Sequence, residues 1–150
     1  MRRSVVCLLA LCLLVPAPAS ASTTTLGRQV LKGINAQRAK HGLRPLRLAT
    51  PLRRVAGSHS RYMARVKRLR HESADGTSAP TRIRRAMRLR RTGEAIAFAS
   101  TARAIVAAWM ASPPHRRLLL SRSFRVIGVG VVRGSFDSYR VLYATADLGA

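Results

Sequence analysis

Four histidines and five acidic residues make up most of the side chains in this 150-residue chain that could exchange protons or hold a metal. His115 stands immediately after Pro113-Pro114, His71 opens the polar run "HESADG", and Glu94 follows a glycine in "GEAIAFAS". Neutral imidazoles can ligate a metal or act as a general base, and a carboxylate beside them can join either task. Nucleophiles are scarcer. Ser58 and Ser60 flank His59 inside a helical pattern, where sequence neighbours point in different directions, so they form no catalytic pair. No G-x-S-x-G elbow occurs. His59 falls on an apolar helical face and reads as a core histidine, and His41 before Gly42 reads as a helix-end residue.

The two cysteines, Cys7 and Cys12, lie in the N-terminal segment. There a basic start (Arg2, Arg3), an apolar run from Val5 to Val15 and a small-residue site at Ala19-Ser20-Ala21 together read as a secretory signal peptide over residues 1–21. The run is too short to span a membrane, and Leu11 before Cys12 disfavours a lipoprotein signal. The mature chain is then expected to be cysteine-free, with neither disulfide nor thiolate chemistry, exported, and a monomer held by its core alone. Without Arg2 and Arg3, 26 basic residues face five acids, a formal charge of +21. Such a balance suits polyanions. Aromatic residues are 5% of the chain and are not interleaved with the arginines, which argues against nucleic acid. An exported chain meets anionic envelope lipids and wall polymers instead.

The elements that must position these residues follow from periodicity. Residues 22–27 read as a polar spacer before a single domain over 28–150. A helix is expected from Arg28 to His41, and a second, with Thr50 as N-cap and Pro51 in its first turn, carries Leu52, Val55, Ala56, His59, Tyr62, Met63 and Val66 on one face. A loop from His71 leads to a short basic helix at Thr81–Met87, and "GEAIAFAS" reads as a buried strand. Ser100 or Thr101 caps a further helix with Ala104, Ile105, Ala108 and Trp109 inward, ended by Pro113-Pro114. "FRVIGVGVV" and "YRVLYATADLG" read as paired strands joined by a loop in "RGSFDS". Helices first and paired strands last imply an α+β fold.

The order of "INAQRAKHGLRPLRLATPLRRVAGSHSRYM", "HESADG", "RIRRAM", "GEAIA", "TARAIVAAWMASPPHR" and "IGVGVV" resembles the bacterial branch of the CAP superfamily, which joins cysteine-rich secretory proteins, antigen 5 and pathogenesis-related 1 proteins. The resemblance implies a secreted α-β-α sandwich with helices on both faces of a central antiparallel sheet. It also implies a cleft commonly lined by two histidines and two acids, to which His71, Glu94 and His115 correspond here. The second acid has no counterpart: Met110, Ala111 and Ser112 stand beside the helix tryptophan. Ala95 replaces the asparagine of the "GEN" signature, Pro114 stands where glycine is usual, and Leu118 replaces a later asparagine.

With these departures the resemblance favours a binding module for lipid or anionic envelope components, with no cofactor required. The alternative is a peptidase-like, metal-dependent hydrolase in which His71 and His115 bind Zn2+ and Glu94 is a third ligand or the base on a metal-bound water.

Overall fold

The computed structural model describes residues 22–150; the expected signal peptide, with Cys7 and Cys12, lies outside them. The chain runs α1 (Thr23–Lys40), β1 (Arg47–Leu48), α2 (Thr50–Val66), α3 (Ala79–Ala86), β2 (Thr92–Ala99), α4 (Ala102–Ala111), α5 (Pro113–Leu119), β3 (Val126–Phe136) and β4 (Tyr139–Gly149). The strands form one sheet in the order β1-β3-β4-β2. Its three long strands are antiparallel, as expected, and the two-residue β1 adds a parallel edge against Val126 and Ile127.

Helices cover both faces, giving an α-β-α sandwich. Strand alternation sorts the two cores. On β4, Leu142, Ala144, Ala146 and Leu148 face α1 and α4, where Ile34, Ile105 and Trp109 are buried. Tyr143, Thr145 and Asp147 point to the α2 side, where Tyr143 packs with Met63 and Ile96. Glu94 pairs with Asp147 across β2 and β4, so both carboxyls lie on the α2 face.

Gly128 and Gly130 let α2 approach β3 closely. A Cβ on Gly130 would collide with the backbone of Ala56 and Gly57, and one on Gly128 with that of Leu52 and Arg53. At this contact the Ser60 hydroxyl lies within hydrogen-bond distance of the Gly130 carbonyl (3.0 Å) and Thr145 Oγ1 (2.9 Å). On the opposite face Arg38, 1% exposed, donates to the carbonyls of Arg44, Leu119 and Ser121, tying α1 to α5.

Several expectations need correction. The polar spacer at 22–27 is the start of α1: Ser22 caps it by accepting from the Thr25 amide, and Leu26 and Gly27 are buried against the sheet. Ala49, not Thr50, is the N-cap of α2; Thr50 is its first residue and Pro51 follows in the first turn. On α2 Ser60 is buried, whereas Val66 at the helix end is exposed. The basic helix begins earlier, at Ala79, because Pro80 suits a first helical turn. In α4, capped by Thr101, Ala102 and Val106 turn inward while Ala108 is exposed. The hairpin loop shrinks to Asp137-Ser138 because β3 runs on to Phe136, paired with Tyr139.

Candidate functional site

Glu94 sits near the start of β2, the sheet edge, with its side chain 2% exposed. A buried carboxylate is costly without partners, and Glu94 has them. His71 Nδ1 donates to Oε1 at 2.8 Å, and Arg82 Nη2 from α3 donates to Oε2. Arg82 also reaches back with Nη1 to the His71 carbonyl (3.1 Å) and Ser73 Oγ (3.0 Å), so one guanidinium staples the 71–77 loop to α3 and β2. His59 Nε2 approaches Oε2 at 3.9 Å while donating to the Arg70 carbonyl at 2.7 Å.

The electrostatics follow from this packing. Burial pushes the Glu94 carboxyl up, but the His71 hydrogen bond and the Arg82 charge outweigh it and hold its pKa below the ordinary value. The hydrogen bond to Glu94 raises His71. Burial lowers His59. Asp147, across the strand and fully buried, is driven well above the usual carboxylate range by burial and then by the Glu94 charge. Neither Asp147 oxygen has a hydrogen-bond partner among the described residues. The two neighbouring carboxyls are therefore driven in opposite directions, Asp147 upward and Glu94 downward.

The three residues singled out from the sequence converge only in part. His71 and Glu94 are in contact. His115, in the first turn of α5, lies near enough for the His71 charge to add to burial in lowering its pKa, yet it makes no hydrogen bond to either among the described residues. No group of three or more His, Cys, Asp or Glu among the described residues is placed to hold a metal ion. Both Glu94 oxygens are engaged, so a zinc ion coordinated there would have to displace Arg82 or His71. The residues present thus do not form the three-ligand set expected of a zinc site.

Arg82, His59 and Asp147 were not among the expected site residues. Asp147 was the most legible of them: a lone acid in the apolar strand "YRVLYATADLG" demands an explanation. Arg82 is one arginine among many and carries no such signal.

The model of the cysteine-rich secretory protein family (CAP) matches residues 31–148. The chain belongs to this family. It is 34% identical over 112 residues to the uncharacterized membrane protein YlbC of Bacillus subtilis, covering 73% of this chain and 32% of that one. It is 32% identical over 116 residues to YkwD of the same organism, covering 76% and 45%. The family domain thus spans a third to just under half of these relatives. Among solved structures, an outer surface protein of Borrelia burgdorferi shares the fold at TM-score 0.72 and 22% identity, covering 86% of this chain and 95% of that one. An extracellular protein of Bacillus anthracis containing an SCP domain does so at TM-score 0.70 and 23% identity, covering 88% and 45%.

Proposed function

We propose that this domain is a non-catalytic binding module, working outside the cytoplasm on anionic envelope components, either phospholipid headgroups or wall polymers. The observation that carries the reading is the dense cationic surface around the α2 face, where the exposed acids are Glu72 and Asp75 of the 71–77 loop. Arg54, Arg61 and Arg65 on α2, Arg68 just beyond it, and Arg84 and Arg85 on α3 supply a dense set of cations there, all of them exposed. Two of the five acids, Glu94 and Asp147, are withdrawn into the fold and offset none of this surface. Glu94, the residue best placed for a general base, has both oxygens occupied. Among its relatives one is named a membrane protein, and the structural neighbours are an outer surface and an extracellular protein, which supports an envelope location. No helix among the described residues is long and apolar enough to cross a membrane.

Sedimentation with vesicles and with purified anionic wall polymer tests this. Binding is expected to phosphatidylglycerol-containing vesicles or to the polymer at low salt, with about tenfold loss or more at high salt because exposed charges are screened. Neutral phosphatidylcholine vesicles are expected to bind little. Absence of binding to every anionic material at low salt would refute the reading.

A further inference from the structure

Four large apolar side chains are exposed among the described residues: Leu48, Val66, Leu69 and Tyr139. Scattered singly they would be ordinary; gathered together they mark a surface with a use. The packing of α2 on β3 puts three of the four at one end of the molecule. Leu52 and Arg53 stand against Gly128, Ala56 and Gly57 against Gly130, and Ala64 against Gly134, so helix and strand run in the same direction. From Ala64 the helix continues only to Val66, about 3 Å further along its axis. From Gly134 the strand continues to Phe136, about 7 Å further. The sheet therefore outruns the helix that covers it.

What the helix leaves uncovered is aromatic. Phe136 pairs with Tyr139 and Gly134 with Val141, so by alternation these residues share the α2 face with Tyr143. Phe98, which pairs with Tyr143 from β2, lies on the same face and stacks on Phe136 with ring centroids 4.7 Å apart. Tyr139 is 72% exposed. At the end of α2, Lys67 takes a left-handed conformation (φ 53°) and turns the chain back, until the Arg70 carbonyl accepts from His59 Nε2. Val66 and Leu69 are exposed in that turn. Arg65, Lys67, Arg68 and Arg140 are exposed at the same end, against Asp137 of the hairpin turn. Leu48 pairs with Ile127 at the opposite end of β3, about 30 Å from Phe136.

We infer that this end of the domain docks on an anionic bilayer, with Tyr139, Val66 and Leu69 entering the headgroup region and Arg65, Lys67, Arg68 and Arg140 meeting lipid phosphates. A bilayer surface is extended, so these groups need only share one end of the molecule, not touch one another. Tyrosine favours the boundary between headgroups and acyl chains, and each Arg or Lys close to an anionic surface adds to the attraction. A wall polymer would meet the cations but gain nothing from exposed apolar groups; the apolar cluster favours lipid. The inference rests on the envelope-binding reading above and narrows it to one material and one end.

Tyr139→Trp supplies the reporter, because the single tryptophan of the chain, Trp109, is buried. On phosphatidylglycerol vesicles at low salt its emission should shift to the blue and be quenched by acyl chains brominated near the headgroup. Leu48→Trp, at the far end, should show neither change. Tyr139→Ser, at an exposed position, should keep the fold, weaken vesicle binding about tenfold and leave binding to anionic wall polymer unchanged. Quenching of Leu48→Trp, silence of Tyr139→Trp on vesicles that bind the protein, or wild-type affinity in Tyr139→Ser overturns this docking end and leaves the general reading standing. Salt-sensitive binding to wall polymer without vesicle binding does the same. A dimer in sedimentation velocity that Tyr139→Ser dissolves would give the end to a second copy and likewise overturn the assignment. Binding to neither vesicles nor polymer refutes both readings.

Discussion

At the scale of single residues, the buried centre of this domain is a set of mismatched titrations. His71 and Arg82 hold the Glu94 pKa below its ordinary value, while burial, and then the Glu94 charge, drives that of Asp147 well above its own. Because its pKa is raised on folding, the native state keeps the Asp147 proton over a pH range in which the unfolded chain has released it. Stability therefore falls as pH rises from the unfolded value of 3.8 toward the raised native one. Asp147→Asn cannot titrate and is expected to gain stability over wild type as pH rises through that window, with no such gain below it. Urea denaturation at acidic and neutral pH checks this; a penalty equal at every pH would contradict it. Glu94 runs the other way, its contribution present above the ordinary value of 4.5 and lost as pH falls through its depressed one. Arg82→Ala leaves Glu94 without its guanidinium partner and is expected to cost about 3–5 kcal/mol at neutral pH. Glu94→Gln in the same background should recover part of that loss.

At the scale of elements, the closeness of α2 to the sheet governs the geometry. That approach brings His59 to Glu94 and Ser60 to Thr145, and it depends on glycines in β3. Gly130→Ala would drive a methyl group into the α2 backbone and is expected to cost about 3 kcal/mol or more, or to prevent folding. Gly57 is a useful contrast. It lies inside α2, and an added Cβ would meet only Arg61 Nη1, at 3.7 Å. Gly57→Ala is therefore expected to stabilise the protein by about 0.5–1 kcal/mol through helix propensity. Thermal or urea denaturation of the pair should give opposite signs; a loss of stability in both would place the close contact elsewhere.

At the scale of the whole molecule, charge is the property that stands apart. The full chain has a formal net charge of +23, and two of its five acids are buried together, so the solvent-facing surface is more one-sided than the composition suggests. Like charges at this density repel one another and oppose the compact state. Added salt is expected to raise the melting temperature, and a bound polyanion to raise it further at equal ionic strength, because it binds the folded surface. A melting temperature indifferent to both would show that the arginines are too widely spread to act together.

Much of this was open to inspection in the amino-acid sequence. Periodicity located the major helices and long strands, because each must bury one face and the two repeats differ. The order of short motifs resembled the family to which the chain belongs, and that resemblance put His71, Glu94 and His115 in one cleft, of which His71 and Glu94 are in contact. The missed elements were short or weakly patterned. The two residues of β1 carry no usable period, and "STTTLG" looks polar because only Leu26 and Gly27 turn inward there. Ser60 gives no sign of burial in the sequence, since its partners Gly130 and Thr145 lie far along the chain. What only the tertiary structure decided is which charges meet. Arg82 is chemically identical to its many neighbours and differs solely in lying across a helix–sheet boundary from Glu94. The Asp147 pKa is raised because the fold withdraws it from solvent and the strand register sets it beside that carboxylate. Sequence specifies which faces are buried; long-range packing chooses the partner of each polar group inside, and here that choice sets the chemistry of the site.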